Sequence, residues 1–202
     1  MPQDRRVQTF FDERAHSWDD NLTPAGIARA REILAALDMA RAERVLDVGC
    51  GTGVLFPLLV ERLDRRAWIV AVDIAFNMVR EARKRVREHK IVCLQADALC
   101  LPFPDGCFDC VLCYNTFPHF PDSHAAVHEL ARVAAVGGRL LIFHSKSRRE
   151  INEFHKEIGG AVGGHRLPSA RVIRRSAANA GLQIERIEEL PDRYIFEAVR
   201  SA

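Results

Sequence analysis

A glycine-rich segment with one acid is the first place where the chain could do chemistry. The segment Val45-Leu-Asp-Val-Gly-Cys-Gly-Thr-Gly53 follows an apolar run and precedes a predicted helix. Its glycines allow a tight backbone turn and let a ligand approach the main chain. The spacing G-x-G-x-G, which includes Gly49 and Gly51, differs from the dinucleotide pattern G-x-G-x-x-G. The Asp47 carboxylate suits an ammonium group, so we expect a site for a ligand that carries one.

Two further acids stand at the ends of the next two predicted strands. Asp73 can accept two hydrogen bonds from ribose hydroxyls. Asp97 can accept from an exocyclic adenine amine, while the backbone N–H of Ala98 reaches a ring nitrogen. A single aspartate at a strand end is usually a helix cap or a turn residue. Three of them in register with a glycine turn predict a nucleoside-binding crevice.

The elements that must position these residues follow an alternating pattern. Short apolar strands separated by helices predict a parallel sheet covered on both faces. The last two strands are joined by Pro191-Asp192-Arg193, which is hairpin spacing. We therefore predict an α/β, doubly wound, Rossmann-like seven-stranded sheet, mostly parallel with a C-terminal antiparallel hairpin. The predicted strands are Arg44–Val48, Trp68–Val72, Ile91–Gln95, Cys107–Tyr114, Arg139–Phe143, Leu182–Leu190 and Tyr194–Val199. The predicted helices include Ala25–Leu37, Val54–Leu63, Phe76–Glu88, Ser123–Ala135 and Ser169–Ala180.

Four segments together resemble the successive motifs of class I S-adenosylmethionine-dependent methyltransferases. They are Val45–Leu55, Val72-Asp-Ile-Ala-Phe-Asn-Met78, Gln95–Asp109 and Val136-Gly-Gly-Arg-Leu-Leu-Ile142. Within that family, Leu101-Pro-Phe-Pro-Asp-Gly-Cys-Phe-Asp109 is similar to the L-P-F-x-D-x-x-F-D segment of the ubiquinone and menaquinone C-methyltransferases. The resemblance covers roughly residues 10 to 145, and its motifs are specific to the cofactor and not to the substrate.

The resemblance implies S-adenosylmethionine as cofactor and a role for each matching residue. Gly49 and Gly51 would lie against the methionine part, Asp47 would help hold its amino group, and Asp73 would bind the ribose. Ile74 and Met78 would pack near the adenine, Asp97 and Ala98 would bind its edge, and Asn115 would lie beside the cofactor. Three places depart from the family, and one of them is Ala135-Val136, which replaces the usual Lys-Pro. Ala75 replaces the usual Ser, which removes a helix cap, and Phe11 replaces a frequent Tyr.

The histidines are the candidates for acid/base work, because methyl transfer needs a base only if the acceptor must lose a proton. His119 follows the fourth predicted strand and His144 follows the fifth, where relatives place substrate-facing residues. We expect His119 or His144 to be the base. The alternative is that both are ordinary loop residues. His144, His155 and His165 flank a glycine-rich stretch and could bind a metal or an anion. Metal binding by these histidines is the alternative to our prediction that the chain holds no metal. The cysteines cannot supply a metal site, because residues three apart on a strand, such as Cys110 and Cys113, point to opposite faces.

The chain is expected to be a single methyltransferase domain over residues 1–202. Residues 1–24, which include Phe10, Phe11 and Trp18, are expected to form an amphipathic lid helix over the cofactor; a helix permanently packed on the sheet is the alternative. Residues 144–168 are expected to form a substrate-side insertion with a mobile glycine-rich loop. Lys146, Arg148 and Arg149 suggest an anionic acceptor; solvation of a helix start is the alternative.

Composition and charge exclude several classes of protein. The 202 residues are 48% hydrophobic and 28% charged, which is typical of globular domains. The net charge of +2 does not indicate nucleic acid or an acidic membrane as partner. No apolar run approaches the length of a membrane span, and the N-terminus lacks the apolar core of a signal peptide. We expect a cytoplasmic protein with no membrane insertion.

Three functions are compatible with these features. The leading hypothesis is transfer of a methyl group from S-adenosylmethionine to a small-molecule acceptor by in-line displacement. A catalytically silent S-adenosylmethionine-binding regulatory module would carry the same motifs. A nicotinamide-dependent oxidoreductase shares the argument from Asp73, but the glycine spacing, Asp47 and the terminal hairpin disfavour it.

Overall fold

Seven strands form one mixed sheet in the computed structural model, which describes residues 5–39, 41–86 and 90–202. The strands are β1 (Arg44–Val48), β2 (Trp68–Asp73), β3 (Lys90–Gln95), β4 (Phe108–Tyr114), β5 (Ala134–His144), β6 (Leu182–Leu190) and β7 (Arg193–Arg200). Their order is β3-β2-β1-β4-β5-β7-β6. The pairs among β1 to β5 are parallel, and β7 is antiparallel to both β5 and β6. The predicted fold class is confirmed.

Helices cover the sheet, and the limits of several of them differ from the predicted ones. They are α1 (Arg5–Arg14), α2 (Pro24–Ala36), α3 (Phe56–Val60), α4 (Phe76–Lys84), α5 (Ser123–Val133), α6 (Arg148–Ile158) and α7 (Ala170–Asn179). The helix expected over Val54–Leu63 spans only Phe56–Val60, because the chain on either side forms turns: the Phe56 N–H donates to the Gly53 carbonyl, and the Arg62 N–H donates to the Leu59 carbonyl, three residues earlier in each case. The predicted end of α4, Glu88, lies outside the described residues.

The sheet is buried on both faces, which explains why its strands read as nearly continuous apolar runs. Val45 of β1 and Leu112 of β4 pack into the core on one face. Leu46 and Val111, the neighbours of these two residues in the chain, pack into the core on the other face. The alternation of side chains along a strand therefore divides one apolar sequence between two helical layers.

The segment from Leu101 to Asp109 is a structural turn that fixes the start of β4. The Arg132 guanidinium of α5 donates to the carbonyls of Leu101 and Phe103 at 3.1 and 2.8 Å. The Asp109 carboxylate accepts hydrogen bonds from two backbone N–H groups at the start of β1. This family-like motif therefore positions two strands of the cofactor crevice without entering the crevice itself.

The N-terminal segment lies across the sheet as α1 followed by a 3₁₀ turn from Ala15 to Asn21. The N-cap residue of α4 is Ala75, whose methyl side chain cannot cap the helix by a hydrogen bond. The Asp12 carboxylate of α1 accepts instead from the backbone N–H of Asn77 at 2.7 Å, and the Asn77 side-chain amide donates to the Asp12 carbonyl at 3.2 Å. A residue of the N-terminal segment thus supplies the cap that the sequence lacks at Ala75. Residues 1–4 of the expected lid lie outside the described residues.

Nothing in the described part of the chain resembles a membrane-spanning helix, which needs more length and a more apolar sequence.

Candidate functional site

A cavity of about 570 Å³ opens at the carboxyl ends of the parallel strands. Asp47, Asp73, Asn115 and His144 mark the ends of β1, β2, β4 and β5 on its wall. The N-terminal segment contributes Phe10, Phe11 and Trp18, and α6 contributes Ile151, His155 and Ile158. Open α/β sheets bind ligands at this edge, so the cavity is the candidate site.

The backbone of the glycine turn is accessible to a ligand at Gly51 and is covered by Thr116 at Gly49. A Cβ atom on Gly49 would lie 2.3 Å from the Thr116 hydroxyl oxygen, so only glycine fits there. A Cβ on Gly51 would meet only the Trp18 indole nitrogen, at 3.9 Å. Gly51 therefore faces the open cavity beneath the N-terminal segment, where a ligand can contact the main chain.

Asp47 is a buried carboxylate for which the described residues provide no hydrogen-bond partner. Its side chain is 1% exposed, and neither oxygen is bonded. Burial, with a smaller contribution from the charge of Asp73, raises the pKa of Asp47 to about 7. An unpartnered carboxylate in a cavity wall is destabilising unless a cation meets it. This environment fits the ammonium group of a methionine-type ligand.

Asp73 holds the glycine turn and still has acceptor capacity. Its two oxygens accept from the backbone N–H groups of Gly51 and Ala75, each at 2.9 Å. Burial raises the pKa of Asp73 to about 6, and these two hydrogen bonds oppose the shift. Each carboxylate oxygen keeps a second lone pair, so the side chain can also accept from a ribose. Ile74 and Met78, expected near the adenine, line the same cavity.

The remaining cofactor candidates do not all reach the cavity. Ala98 lines it, whereas Asp97 is not part of its wall and accepts from the backbone N–H of Leu99 at 2.9 Å. Asn115 lines the cavity with a φ of 53° and accepts from the backbone N–H of Ser145 at 3.2 Å. Asn115 thus joins the ends of β4 and β5. The adenine contact expected of Asp97 stays a prediction.

His119 lies at the centre of a histidine cluster on the cavity wall. Its Nδ1 atom is 2.9 Å from the Nδ1 atom of His165. Its ring centre lies 4.8 Å from that of His155 and 4.9 Å from that of Phe11. Burial, with smaller effects of the neighbouring histidines, holds the pKa of His119 well below its usual value. His119 is therefore neutral at physiological pH.

His144, the other candidate base, ends β5 inside the cavity wall. It is 1% exposed, and its Nε2 atom has no hydrogen-bond partner among the described residues. Burial lowers the pKa of His144 to about 3, with a smaller contribution from His155. The ring is thus suited to accept or donate one hydrogen bond as a neutral group.

The predicted substrate-side insertion contains a helix, which the sequence suggested only as the alternative explanation of Lys146, Arg148 and Arg149. Helix α6 presents Ile151, His155 and Ile158 to the cavity, at positions i, i+4 and i+7 of one helical face. That spacing, together with the capping box of Ser147 and Glu150, was the available sequence signal. His155 is therefore a wall residue of the cavity and not part of a loop.

The cations that suggested an anionic acceptor are mostly engaged elsewhere. Arg148 pairs with Glu189 at 3.0 Å and Arg149 with Glu153 at 2.9 Å. Lys146 lines the cavity, with its ammonium nitrogen 5.1 Å from the centre of the Phe154 ring. Over residues 5–39, 41–86 and 90–202, no three His, Cys, Asp or Glu side chains are arranged to hold a metal ion.

Comparisons with known proteins give one consistent result. A family model described as "Methyltransferase domain" matches residues 46–142. The demethylmenaquinone methyltransferase of Thermus thermophilus is 43% identical over 116 residues, which are 56% of this chain and 52% of that protein. The ubiquinone/menaquinone biosynthesis C-methyltransferase UbiE of Proteus mirabilis is 32% identical over 195 residues, which are 92% of this chain and 77% of that protein.

Structural similarity extends over nearly the whole chain. The crystal structure of a SAM dependent methyltransferase from Aquifex aeolicus superposes with a TM-score of 0.74 at 21% identity, covering 93% of this chain and 97% of that one. The chain spans about half the length of the Thermus thermophilus relative. The cavity, with the buried Asp47 carboxylate in its wall, is compatible with S-adenosylmethionine as cofactor. The chain belongs to the class I S-adenosylmethionine-dependent methyltransferase family.

Proposed function

We propose that the chain transfers a methyl group from S-adenosylmethionine to a small-molecule acceptor by in-line displacement. The observation that carries this proposal is the Asp47 carboxylate, buried and unpartnered, at the glycine turn of a large cavity. The same cavity is lined by neutral histidines and apolar side chains, which suit an organic acceptor.

The cofactor side is assigned to residues of β1 and β2. When bound, S-adenosylmethionine supplies an activated sulfonium methyl group. Asp47 holds the ammonium group, Gly51 leaves its backbone open to the methionine part, and Asp73 accepts from the ribose hydroxyls. Ala98, Ile74 and Met78 enclose the adenine.

The acceptor proposed is a quinone-type small molecule that is methylated at carbon. Its support is the names of the relatives from Thermus thermophilus and Proteus mirabilis, which act on demethylmenaquinone and in ubiquinone and menaquinone biosynthesis. An anionic group on the acceptor has weaker support, because Lys146 is the cation of its cluster that lines the cavity while Arg148 and Arg149 pair with glutamates.

His119 is the proposed base where the acceptor must lose a proton. Its Nδ1 atom lies 2.9 Å from Nδ1 of His165, and the ring nitrogen that carries no proton is the one that would accept. A neutral ring at physiological pH can accept that proton. His144 is the alternative base.

Residues 1–24 are proposed to act as a lid, within a single domain that spans the chain. Phe11 packs against both Trp18 and His119, with ring centres 5.4 and 4.9 Å apart. The segment therefore contacts both the cofactor side and the acceptor side of the cavity. Closure would exclude water from the reacting groups. A cytoplasmic location and the absence of a nucleic-acid partner stay predictions from composition.

Two measurements test this function. Isothermal titration should detect micromolar binding of S-adenosylmethionine and its demethylated product, and no binding of NAD. Methyl transfer should then be followed with labelled cofactor and a reduced demethylmenaquinone analogue with a short side chain. Preferential binding of NAD would contradict the cofactor assignment. Cofactor binding without transfer to this analogue or to any molecule in a metabolite extract would favour the silent regulatory module.

A further inference from the structure

Two imidazole nitrogens in the cavity wall have no hydrogen-bond partner among the residues that the structure describes, and the assigned cofactor contacts do not use them. They are Nε2 of His144 and Nδ1 of His155, on residues that are 1% and 6% exposed. A buried polar atom without a hydrogen bond destabilises the folded state. Both residues line the cavity that holds Asp47, so a ligand there can reach them.

His155 is held in one orientation by the surrounding structure. Helix α6 begins with a capping box, and its Asn152 side chain accepts from the backbone N–H of Leu167 at 2.7 Å. Arg148 at the start of the helix pairs with Glu189 at 3.0 Å. The centre of the His155 ring lies 4.8 Å from that of His119, and the two ring planes are tilted by 55°. The direction of its Nδ1 atom is therefore fixed before any ligand arrives.

The hydrogen bonds of the His155 ring decide what its Nδ1 atom can bind. The ring makes a hydrogen bond with the backbone of His165. Because Nδ1 has no partner among the described residues, Nε2 makes this bond, and it donates because a backbone carbonyl only accepts. Burial lowers the pKa of His155 overall, which keeps the ring neutral. A neutral imidazole that donates from one nitrogen accepts at the other. Nδ1 therefore requires a donor.

We propose that His155, assisted by His144, forms a subsite for the methyl acceptor in which Nδ1 of His155 accepts a hydrogen bond from an uncharged hydroxyl group. This inference rests on the proposed function for the identity of the ligand as methyl acceptor. The apolar neighbours Ile151, Ile158 and Phe11 hold the carbon skeleton beside that hydroxyl. A carboxylate would be repelled at this position, because it presents only lone pairs to a lone pair.

Three naphthalene probes test the subsite without an identified acceptor. Wild-type protein, with and without S-adenosylhomocysteine, is titrated with 1-naphthol, 1-methoxynaphthalene and 1-naphthoate, which share one ring system. We expect 1-naphthol to bind roughly five- to tenfold more tightly than the other two, because only it donates from a neutral oxygen. A preference of this size should disappear in His155→Leu and persist in part in His155→Gln, whose amide oxygen can accept.

His128→Ala is the matched control, since His128 is an exposed histidine of α5 outside the cavity wall. Nitrogen-15 spectra of wild-type protein give a readout that needs no variant: the Nδ1 resonance of His155 should shift with 1-naphthol and not with 1-methoxynaphthalene. Equal affinity for the three probes, no binding of any probe, or a preference that survives in His155→Leu would overturn the proposal. Failure of S-adenosylhomocysteine to bind would instead contradict the proposed function, and the probe comparison would still decide the subsite.

Discussion

Asp47 shows at the scale of one residue how a binding group can oppose folding. Its carboxylate is buried without a partner, and its pKa of about 7 lies above the ordinary value of 3.8. Between about pH 4 and 7, the Asp47 carboxyl group is therefore protonated in the folded state and ionised in the unfolded state. Stability from this group is present below pH 4 and is lost as the pH rises through 7.

We expect Asp47→Asn to stabilise the ligand-free protein and to weaken cofactor binding. The gain should grow from pH 4 to 7 and reach a plateau of roughly 4 kcal/mol, which corresponds to about 8–16 °C in Tm. The affinity for S-adenosylmethionine should fall roughly tenfold or more, because an ammonium group loses its charged partner. Thermal unfolding at several pH values and isothermal titration measure the two effects. Asp20→Asn, at an exposed position, is the control; unchanged stability and affinity in Asp47→Asn would contradict the assignment.

Asp73 differs from Asp47 because both carboxylate oxygens of Asp73 already accept hydrogen bonds from backbone N–H groups. Asp73→Ala should weaken cofactor binding by about 1–3 kcal/mol, through unpaired ribose hydroxyls and a loosened Gly51 backbone. Isothermal titration with S-adenosylhomocysteine measures the loss. Titration with methionine alone separates the two causes, since methionine has no ribose. An unchanged affinity for S-adenosylhomocysteine would mean that the ribose lies elsewhere.

Replacing His119 and His144 one at a time tests which of them is the base. If either acts as the base, its replacement by Ala should reduce turnover roughly 10²-fold or more while cofactor affinity changes little. Turnover with an identified acceptor and titration with S-adenosylhomocysteine measure these effects, with His128→Ala as control. Wild-type turnover in both variants would show that neither residue is the base and that proximity and alignment carry the reaction.

At the scale of elements, the N-terminal segment and α4 depend on each other. Asp12 of α1 caps α4 at Asn77, and Thr52 of the glycine turn donates to Asp19 at 2.6 Å. Asp19 also pairs with Arg85 after α4. The segment therefore contacts the elements that surround the cofactor cavity, so ligand binding and lid position should be coupled.

We expect S-adenosylhomocysteine to slow hydrogen exchange across residues 5–21 in the wild-type protein. Asp12→Ala should raise exchange in this segment without ligand, because α4 and α1 lose a shared cap worth about 1 kcal/mol. Glu13→Ala is the matched control, since the exposed Glu13 side chain pairs only with its neighbour Arg14 at 3.5 Å among the contacts described. Exchange that is equal with and without ligand would indicate a permanently packed helix.

At the scale of the whole molecule, ligand binding should raise the stability of the single sheet. A ligand present at 100 times its Kd stabilises the folded state by about 2.7 kcal/mol, which corresponds to roughly 5–11 °C in Tm for a chain of this size. We expect this shift with S-adenosylhomocysteine and none with NAD at the same concentration. Differential scanning calorimetry measures both. A larger shift with NAD would contradict the family's cofactor as the ligand of this chain.

Much of the architecture could be predicted because it depends on local patterns. Strand β1 was placed correctly at Arg44–Val48, since a buried parallel strand is a short apolar run with clear limits. The terminal hairpin followed from the short turn between β6 and β7. The limits of α3 were wrong, because turns at Gly53–Phe56 and Leu59–Arg62 stand where the apolar pattern allows a longer helix.

The sequence by itself determined the fold class, the glycine turn and the family, because these depend on residue types at fixed spacings along the chain. Only the tertiary structure decided which side chains meet. It placed Asp97 outside the cavity wall, left Asp47 without a partner, and brought His155 beside His119. Positions 119 and 155 lie on different elements, so their distance depends on how α6 packs over the strand ends. Burial, hydrogen-bond satisfaction and pKa arise from such packing, and no local pattern encodes them.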